Sequence, residues 1–229
     1  MPTREDRVLR GSPLFTGLDE SERAALLRCL APKRLCLRRG EALWHAGDTV
    51  RECAVVLSGQ LRAESVSAAG ERTVCALHGA GSLAGDVLMV SDGRPSPVDV
   101  FAAADTEVLL FSGHTVLNGC PNCCARHEKL RHNLLAEITE KYWSQRERLG
   151  LLEIRSLRGR LAALLAERAE REGADTFSLA MTREDLAGFL CANRSALSRE
   201  LSRMRAEGLI DFRRDRFTVR NADALERYR

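Results

Sequence analysis

Hydrophobic positions change their spacing along the chain, and each spacing predicts a different kind of structure. Between residues 35 and 112, short apolar runs are interrupted by glycines, which is typical of many short strands. From residue 121 the apolar side chains recur at helical spacing, and residues 158–171 form a second amphipathic stretch. These patterns predict an α+β fold with an N-terminal all-β roll or barrel, a long helix and a C-terminal helical domain.

Individual elements can be placed within this outline. The run Ala54–Ala63, with Gly59 near its middle, predicts two strands joined by a turn. Further strands are predicted at Thr73–Leu77, Val98–Ala103 and Val108–Phe111. Upstream of the strands, residues 13–30 have a helical pattern, and Asp19 and Ser21 are candidate N-caps.

The segment Met181–Ile210 predicts two short helices joined by a tight turn. Thr182 can cap the first helix, and Asp185 three residues later completes a weaker version of the capping box. Asn193 can cap the second helix, and Gly208 can end it. This order of cap, turn, cap and stop predicts a helix-turn-helix.

The second of these helices has an apolar side and a polar side. Its apolar side consists of Ala196, Leu197, Leu201 and Met204. Its polar side consists of Arg194, Ser195, Ser198, Arg199, Ser202, Arg203 and Arg205. Two apolar runs then flank a charged turn containing Arg214, which predicts a hairpin, or wing. The segment Arg194–Arg216 contains seven arginines and four acidic residues, which gives it a net charge of +3. This local positive charge favours duplex DNA as a partner.

Composition excludes several other classes of protein. The chain has 229 residues, is 45% hydrophobic and 29% charged, and fits one large or two modest globular domains. No apolar run approaches the ~20 residues of a membrane span, and residues 1–7 lack an apolar signal core. We therefore expect a cytoplasmic protein with no membrane partner. Its eight cysteines are then expected to be reduced thiols or ligands.

The order of roll, long helix and winged helix-turn-helix resembles the CRP/FNR superfamily of bacterial transcription regulators. The similar segments are Leu14–Leu18, Gly40-Glu41 with Gly47-Asp48, Val56–Gly59, Gly81–Asp86, Arg158–Leu165 and Met181–Gly208. The resemblance implies a sensory β-roll (a double-stranded β-helix) at 12–118, a dimerisation helix at 119–153 and a DNA-binding domain at 154–229. It further implies a homodimer on a near-palindromic operator, with RNA polymerase as an additional partner of an activator.

The same resemblance assigns DNA contacts. The exposed positions Arg194, Ser195, Ser198 and Arg199 match those that contact bases and nearby phosphates. We add Thr182, Asn193, Arg203 and Arg214 to this predicted DNA-binding set because they flank the same surface. Many members carry Glu where this chain has Ser195, so the usual half-site sequences do not transfer.

The long helix predicts a subunit interface. Leu130, Leu134, Ile138 and Tyr142 lie on one stripe, and Leu135, Trp143 and Leu149 broaden it. A helix of roughly thirty residues is too long to be covered by one small roll, so its exposed stripe is expected to pair with a second subunit. The alternative is a helix packed wholly within its own chain.

The signal that the roll senses is unknown from the sequence. In members that bind cyclic nucleotides, a Gly-Glu pair is followed by an Arg-Ser pair that grips the phosphate. Here the candidate effector pocket is Gly85, Asp86 and Ser96, but Pro95 stands where that arginine belongs. This departure argues against cyclic AMP.

Two cofactors of the family are also disfavoured. An iron–sulfur cluster held by N-terminal cysteines would need tight spacing, whereas only Cys29 and Cys36 occur early in the chain. Haem would need a ligand such as Cys75 or His78, and both lie in what looks like an ordinary strand end.

One cluster, Cys120, Cys123, Cys124 and His127, has three possible explanations. On a helix, Cys120, Cys124 and His127 would share one face, so the cluster could hold a metal ion. It could also act as a thiol switch, or pack as small apolar side chains against the roll.

Two alternatives to a DNA-binding regulator remain. A cupin-type metalloenzyme would need clustered histidines, but His45, His78 and His114 are far apart in sequence. A ligand-binding interaction module built on the β-roll, without DNA binding, is the second alternative, and the salt dependence of duplex binding would distinguish it.

Overall fold

The computed structural model describes residues 3–67, 70, 72–118, 125–179 and 181–228. They form two compact units, Met1–Lys141 and Tyr142–Arg229. The helices are α1 (Arg4–Arg10), α2 (Glu20–Leu30), α3 (Asp86–Met89), α4 (Gly113–Asn118), α5 (Ala125–Glu153), α6 (Leu157–Glu172), α7 (Arg183–Phe189), α8 (Arg194–Ala206) and α9 (Ala222–Glu226). The strands are β1 (Lys33–Leu37), β2 (Ala42–Trp44), β3 (Glu52–Ser58), β4 (Leu61–Val66), β5 (Arg72–His78), β6 (Leu83–Ala84), β7 (Asp99–Ala102), β8 (Thr106–Ser112), β9 (Thr176–Ser178), β10 (Ile210–Arg213) and β11 (Arg216–Val219).

The first unit contains two four-stranded sheets whose strand pairs are all antiparallel. One sheet has the order β1-β8-β3-β6, and the other has the order β2-β7-β4-β5. The predicted strand, turn and strand at Ala54–Ala63 correspond to β3, Gly59 and β4. Gly59 has φ +80°, and a Cβ there would lie 2.3 Å from the Asp105 carbonyl oxygen, so the turn requires glycine.

Strand β3 is buried on both faces, which explains its unbroken apolar sequence. Cys53, Val55 and Leu57 pack into a cluster with the N-terminal helices and the first turns of α5. Ala54 and Val56 point the opposite way, into the interior between the two sheets. The side chains that fill this roll interior are Leu37, Trp44, Val50, Leu61, Ala63, Ala84, Val100, Ala102 and Val108.

The outer cluster fixes the helices of this unit against the roll. Leu9, Phe15 and Phe111 are buried in it, together with Leu130 and Leu134 of α5. The helical pattern predicted at residues 13–30 is confirmed as a short 3-10 turn followed by α2, whose N-cap is Asp19. Helix α1 was not predicted.

The second unit packs α6–α9 against a three-stranded sheet of order β10-β11-β9. Its core is apolar and continuous, and it includes Leu161, Leu165, Leu186, Leu197 and Phe217. The α+β class, the N-terminal sheet domain, the long helix α5 and the C-terminal helix-turn-helix are therefore confirmed. Within the described ranges, no helix combines the length and apolar composition that crossing a bilayer requires.

Candidate nucleic-acid interface

Local capping positions the two helices of the helix-turn-helix. Thr182 Oγ1 accepts from the Asp185 N–H at 3.1 Å, and Asp185 Oδ2 accepts from the Thr182 N–H at 3.0 Å, which completes the predicted capping box of α7. Asn193 Oδ1 accepts from the Ala196 N–H at 2.7 Å and caps α8. Both helix starts are thus fixed by residues that the sequence identified.

The turn between these helices is tight. Cys191 lies in the left-handed region with φ +48°, and the Ala192 N–H donates to the Ala187 carbonyl at 2.9 Å. Few non-glycine residues adopt this backbone conformation, so the turn holds a local strain of about 1–3 kcal/mol. Burial of Leu190 and Leu197, on either side of the turn, offsets this strain and keeps the turn in its conformation.

Helix α8 buries one side and exposes the other. Leu197, Leu201 and Met204 are fully buried in the core of the second unit. The exposed side carries the residues predicted to contact DNA in this helix: Arg194, Ser195, Ser198, Arg199 and Arg203.

The exposed side chains differ in how far they are committed to neighbours. Arg199 makes no hydrogen bond or ion pair with the described residues, so its guanidinium is available. Arg194 lies 3.9 Å from Glu184 and Arg203 lies 3.7 Å from Glu200, and both arginine side chains are about two-thirds exposed. The pair of Arg194 is long and solvated on both sides, so it contributes little and can be exchanged for a phosphate contact. Glu200 is 14% exposed but is also bonded to Arg158, so it keeps a cation if Arg203 turns to a phosphate. Ser195 donates to Asn193 Oδ1 at 2.9 Å, which supports the cap.

The wing is the hairpin β10–β11, which turns at Arg214 and Asp215. Arg214 is exposed with φ +57°. Asp215 Oδ2 accepts from Ser178 Oγ at 2.6 Å, and this hydrogen bond lowers the pKa of Asp215. A cavity of about 470 Å³ lies between the wing turn and the start of α7, and its lining includes Thr182, Arg183 and Arg214. The fold therefore brings Thr182 and Arg214 to one depression, although they are distant in sequence.

Arg183 is a residue of this surface that sequence reasoning missed. Its guanidinium lies 4.9 Å from the ring centroid of Phe212 and 5.0 Å from that of Phe217. Burial against these rings lowers the pKa of Arg183. The cation–π contacts hold the first turn of α7 against the wing.

Arg158 of α6 links three parts of the second unit. Its Nε donates to Glu200 at 2.6 Å, and its two terminal nitrogens donate to Glu207 at 2.7 and 2.8 Å. Its guanidinium also lies 5.2 Å from the ring centroid of Tyr228. The bonds to Glu207 and Glu200 raise the pKa of Arg158, and those from Arg158 lower the pKa of Glu207. Because Glu200 and Glu207 lie in and after α8, Arg158 sets the position of that helix on α6.

Arg148, near the end of α5, contacts the end of α7 within the same unit. Its Nε donates to the Phe189 carbonyl at 3.2 Å, and Nη2 donates to the Gly188 carbonyl at 3.3 Å. The guanidinium also lies over the Phe189 ring, 5.2 Å from its centroid. A cation at the carboxyl end of a helix satisfies free carbonyls and complements the helix dipole.

Comparison with known proteins agrees with this geometry. The family model of the cyclic nucleotide-binding domain matches residues 34–121 of the sequence, and the family model of the Crp-like helix-turn-helix domain matches residues 159–228. The fumarate and nitrate reduction regulatory protein of Vibrio cholerae is 26% identical over 91% of this chain and 83% of its own length. The cyclic AMP receptor protein of Thermus thermophilus is 27% identical over 95% of this chain and 97% of its own length. The chain belongs to the CRP/FNR superfamily.

A solved structure agrees with this membership. The Thermus thermophilus catabolite activator protein superposes with a TM-score of 0.55 at 27% identity, over 95% of this chain and 98% of that one. The relatives named here are regulators and receptor proteins, and the chain is a regulator of this kind and not an enzyme.

In this CRP/FNR protein, the predicted effector residues make contacts within the chain. Gly85 has φ +79°, and a Cβ there would lie 2.8 Å from the Trp44 indole and 2.9 Å from the Glu52 carbonyl oxygen. Asp86 is only 2% exposed, and its two carboxylate oxygens lie 2.8 and 2.9 Å from Nζ of Lys141. The lysine Nζ also donates to the Leu83 carbonyl at 3.2 Å.

Ser96 is likewise committed to its own loop. It is 3% exposed, and its hydroxyl donates to the Val98 carbonyl at 2.7 Å. Its backbone pairs with Asp48 and Gly47, each at 2.8 Å. The role of Gly85, Asp86 and Ser96 in binding an effector stays a prediction.

The cysteine–histidine cluster is described only at His127. Cys120, Cys123 and Cys124 lie outside the described residues. His127 is 2% exposed, and burial lowers its pKa. Among the described residues, no group of three or more histidine, cysteine or acidic side chains is placed to hold a metal ion. All three explanations of the cluster stay open.

Proposed function

We propose that this protein is a sequence-specific DNA-binding transcription regulator that acts as a homodimer on a near-palindromic operator. The observation that carries the proposal is that α8 has one exposed side and one buried side. The exposed side presents arginine and serine side chains, and the opposite side is fully buried in the core of the second unit. A helix held in this way can enter the major groove, where base edges carry a distinct pattern of donors and acceptors.

The proposed DNA contact of each residue on this surface depends on which of its hydrogen-bonding groups are free. Arg199 has no partner among the described residues and is proposed to read a guanine through its O6 and N7. Ser195 and Ser198 lie beside it on the exposed side and can contact base edges or phosphates. Arg194 is proposed to exchange its long ion pair for a phosphate on binding.

The remaining predicted residues surround this helix. Arg203 and Arg214 are proposed to contact phosphates, which fix the register of the protein without reading sequence. Thr182 and Asn193 act mainly as caps, because their oxygens already accept backbone N–H groups. The side-chain amide of Asn193 remains a donor for the DNA backbone.

The homodimer is proposed from the part of the predicted α5 stripe that is exposed. Leu130 and Leu134 of that stripe are instead buried against the roll within the first unit. Leu135, Tyr142 and Leu149 follow each other at intervals of seven residues, and each is more than half exposed. Seven-residue spacing of large apolar side chains along one helix is typical of a seam that pairs with an identical helix. Trp143, 55% exposed, borders this seam.

Cyclic AMP is proposed not to be the signal. Asp86 is already bound to Lys141, Ser96 is bound to its own loop, and Trp44 occupies the roll interior beside Gly85. Isothermal titration with cyclic AMP tests this proposal, and saturable binding at micromolar concentrations would contradict it.

The DNA proposal is tested by selecting duplexes from a random library and measuring affinity by fluorescence anisotropy. Arg199→Ala is expected to weaken binding to the selected site by roughly 1–3 kcal/mol and to relax its specificity. Arg28→Ala is the matched control, because it removes an exposed arginine from α2 in the other unit. No enriched sequence, or equal losses in both variants, would overturn the proposal.

A further inference from the structure

A cavity of about 290 Å³ opens on the solvent side of the sheet β2-β7-β4-β5. Leu61 and Ala63 point into the roll interior, so Arg62 between them points outward, opposite Phe101 on β7. Arg39 and Arg72 join Arg62 in the lining. Among the described lining residues there is no acid, so three arginines line one depression.

Two of these arginines, Arg62 and Arg72, are held in place by the buried carboxylate of Glu64. Glu64 is 4% exposed, and its Oε1 lies 2.7 Å from Nε of Arg62. Its other oxygen lies 3.3 Å from Nη1 of Arg72. The buried carboxylate therefore fixes both guanidinium groups before any ligand arrives, which reduces the entropy lost on binding. Three positive charges against one negative charge leave a surplus of +2 among these four residues.

The third arginine has a fixed backbone and an uncommitted side chain. The Arg39 N–H donates to Asp105 Oδ1 at 3.0 Å, and the next N–H, of Gly40, donates to the Ala102 carbonyl at 2.8 Å. The Arg39 side chain is exposed and makes no hydrogen bond or ion pair with the described residues. Asp105 is outside the lining, and Glu71, next to Arg72, is outside the described residues.

We infer that this cavity binds a small molecule that carries a phosphate monoester. The dianion matches the surplus of +2, and guanidinium groups donate to phosphate oxygens in pairs. The half-buried ring of Phe101 offers an apolar surface for a flat group attached to the phosphate. The volume is at the lower end for ligand pockets, which favours a nucleoside monophosphate over a larger ligand.

The site is tested by isothermal titration of the full chain with AMP, inorganic phosphate and adenosine. AMP and phosphate are expected to bind saturably, whereas adenosine is not. Arg39→Ala is expected to weaken AMP and phosphate by at least about tenfold, the value of one lost charge-assisted contact. Phe101→Leu is expected to weaken AMP and leave phosphate unchanged, which separates an organic phosphate from the free ion.

Arg38→Ala is the matched control, because Arg38 is the adjacent exposed arginine and does not line the cavity. The Arg39 side chain makes no hydrogen bond or ion pair with the described residues, so its replacement is expected to leave thermal unfolding unchanged. Equal losses in the two variants, or no saturable binding of AMP and phosphate to the unaltered protein, would overturn the inference.

A duplex that binds more weakly to Arg39→Ala in the absence of AMP would replace the inferred site with a DNA-backbone contact. The inference does not rest on the proposed DNA-binding function, since Arg39→Ala is expected to keep full affinity for the selected operator.

Discussion

Replacing Lys141 by methionine tests the buried ion pair that joins α5 to the roll. In the intact protein, Nζ of Lys141 bonds both oxygens of Asp86, and Asp86 is 2% exposed. Lys141→Met keeps most of the apolar stem of the side chain and removes the charge. Asp86 then remains a buried carboxylate without its cation. Removing one partner of a buried ion pair is more destabilising than replacing both, because the remaining charge is left uncompensated.

The expected magnitude follows from the burial of the two partners. Removing one partner of a buried pair costs about 3–5 kcal/mol. The Lys141 side chain is 32% exposed, so water can partly reach the site, and we expect the lower end, about 3 kcal/mol. For a unit of this size that corresponds to a fall in Tm of roughly 6–12 °C.

The assay is differential scanning calorimetry, since two compact units need not unfold together. The double variant Asp86→Asn with Lys141→Met is expected to recover most of the lost stability, because position 86 no longer carries a buried charge. Recovery is incomplete because Glu137, which lies 3.4 Å from Nζ of Lys141 and is 18% exposed, still loses its partner. Lys129→Met is the matched control, since this exposed lysine of α5 donates to one carbonyl, that of Gly17.

A loss below about 1 kcal/mol in Lys141→Met would refute the argument. So would a double variant that is no more stable than the single one, because the two side chains would then not be coupled.

Three further outcomes test other parts of the structure. Arg148→Ala removes a cationic cap of α7, so it is expected to lower the stability of the second unit by about 1 kcal/mol and to weaken operator binding, and unchanged values would contradict this role. Gly59→Ala is expected to cost several kcal/mol in denaturant titrations, whereas Gly150→Ala, in a helix with open space, is expected to stabilise by about 0.5–1 kcal/mol; equal effects would contradict both. Burial lowers the pKa of His78 from its ordinary 6.5, so the unfolded chain is protonated first and stability falls as pH drops below about 6.5. His78→Gln is expected to reduce that slope without abolishing it, because burial lowers the pKa of His127 as well. An unchanged slope would contradict the role of His78.

The sequence predicted most about the helix-turn-helix because its determinants are local. The caps at Thr182 and Asn193 bond to groups three residues away, so spacing alone identifies them. The roll was predicted as a class, and several strands were located, because β3 and β4 have strong apolar patterns on either side of Gly59. Helix α1 and the two-residue strand β6 were missed, since neither has a long enough pattern.

The contacts that sequence reasoning missed join distant parts of the chain. Arg158 and Glu200 are 42 residues apart, and Lys141 and Asp86 are 55 residues apart. The residues next to Arg158 and Lys141 in the sequence predict only that each side chain lies on a solvated helix face. Only the fold shows that Lys141 neutralises a buried acid and that Arg158 fixes the helix proposed to read DNA.

The ion pair also constrains what an effector could be. Any ligand that approaches the turn at Gly85 and uses Asp86 must first displace Lys141, at a cost near the ~3 kcal/mol expected for the pair. That cost lowers the apparent affinity about 100-fold, at 1.4 kcal/mol for each factor of ten. A neutral ribose hydroxyl recovers little of it, because it supplies no positive charge to a carboxylate that is 2% exposed. An effector at this turn must therefore bring a cationic group of its own, or leave Asp86 with Lys141 and bind elsewhere on the roll.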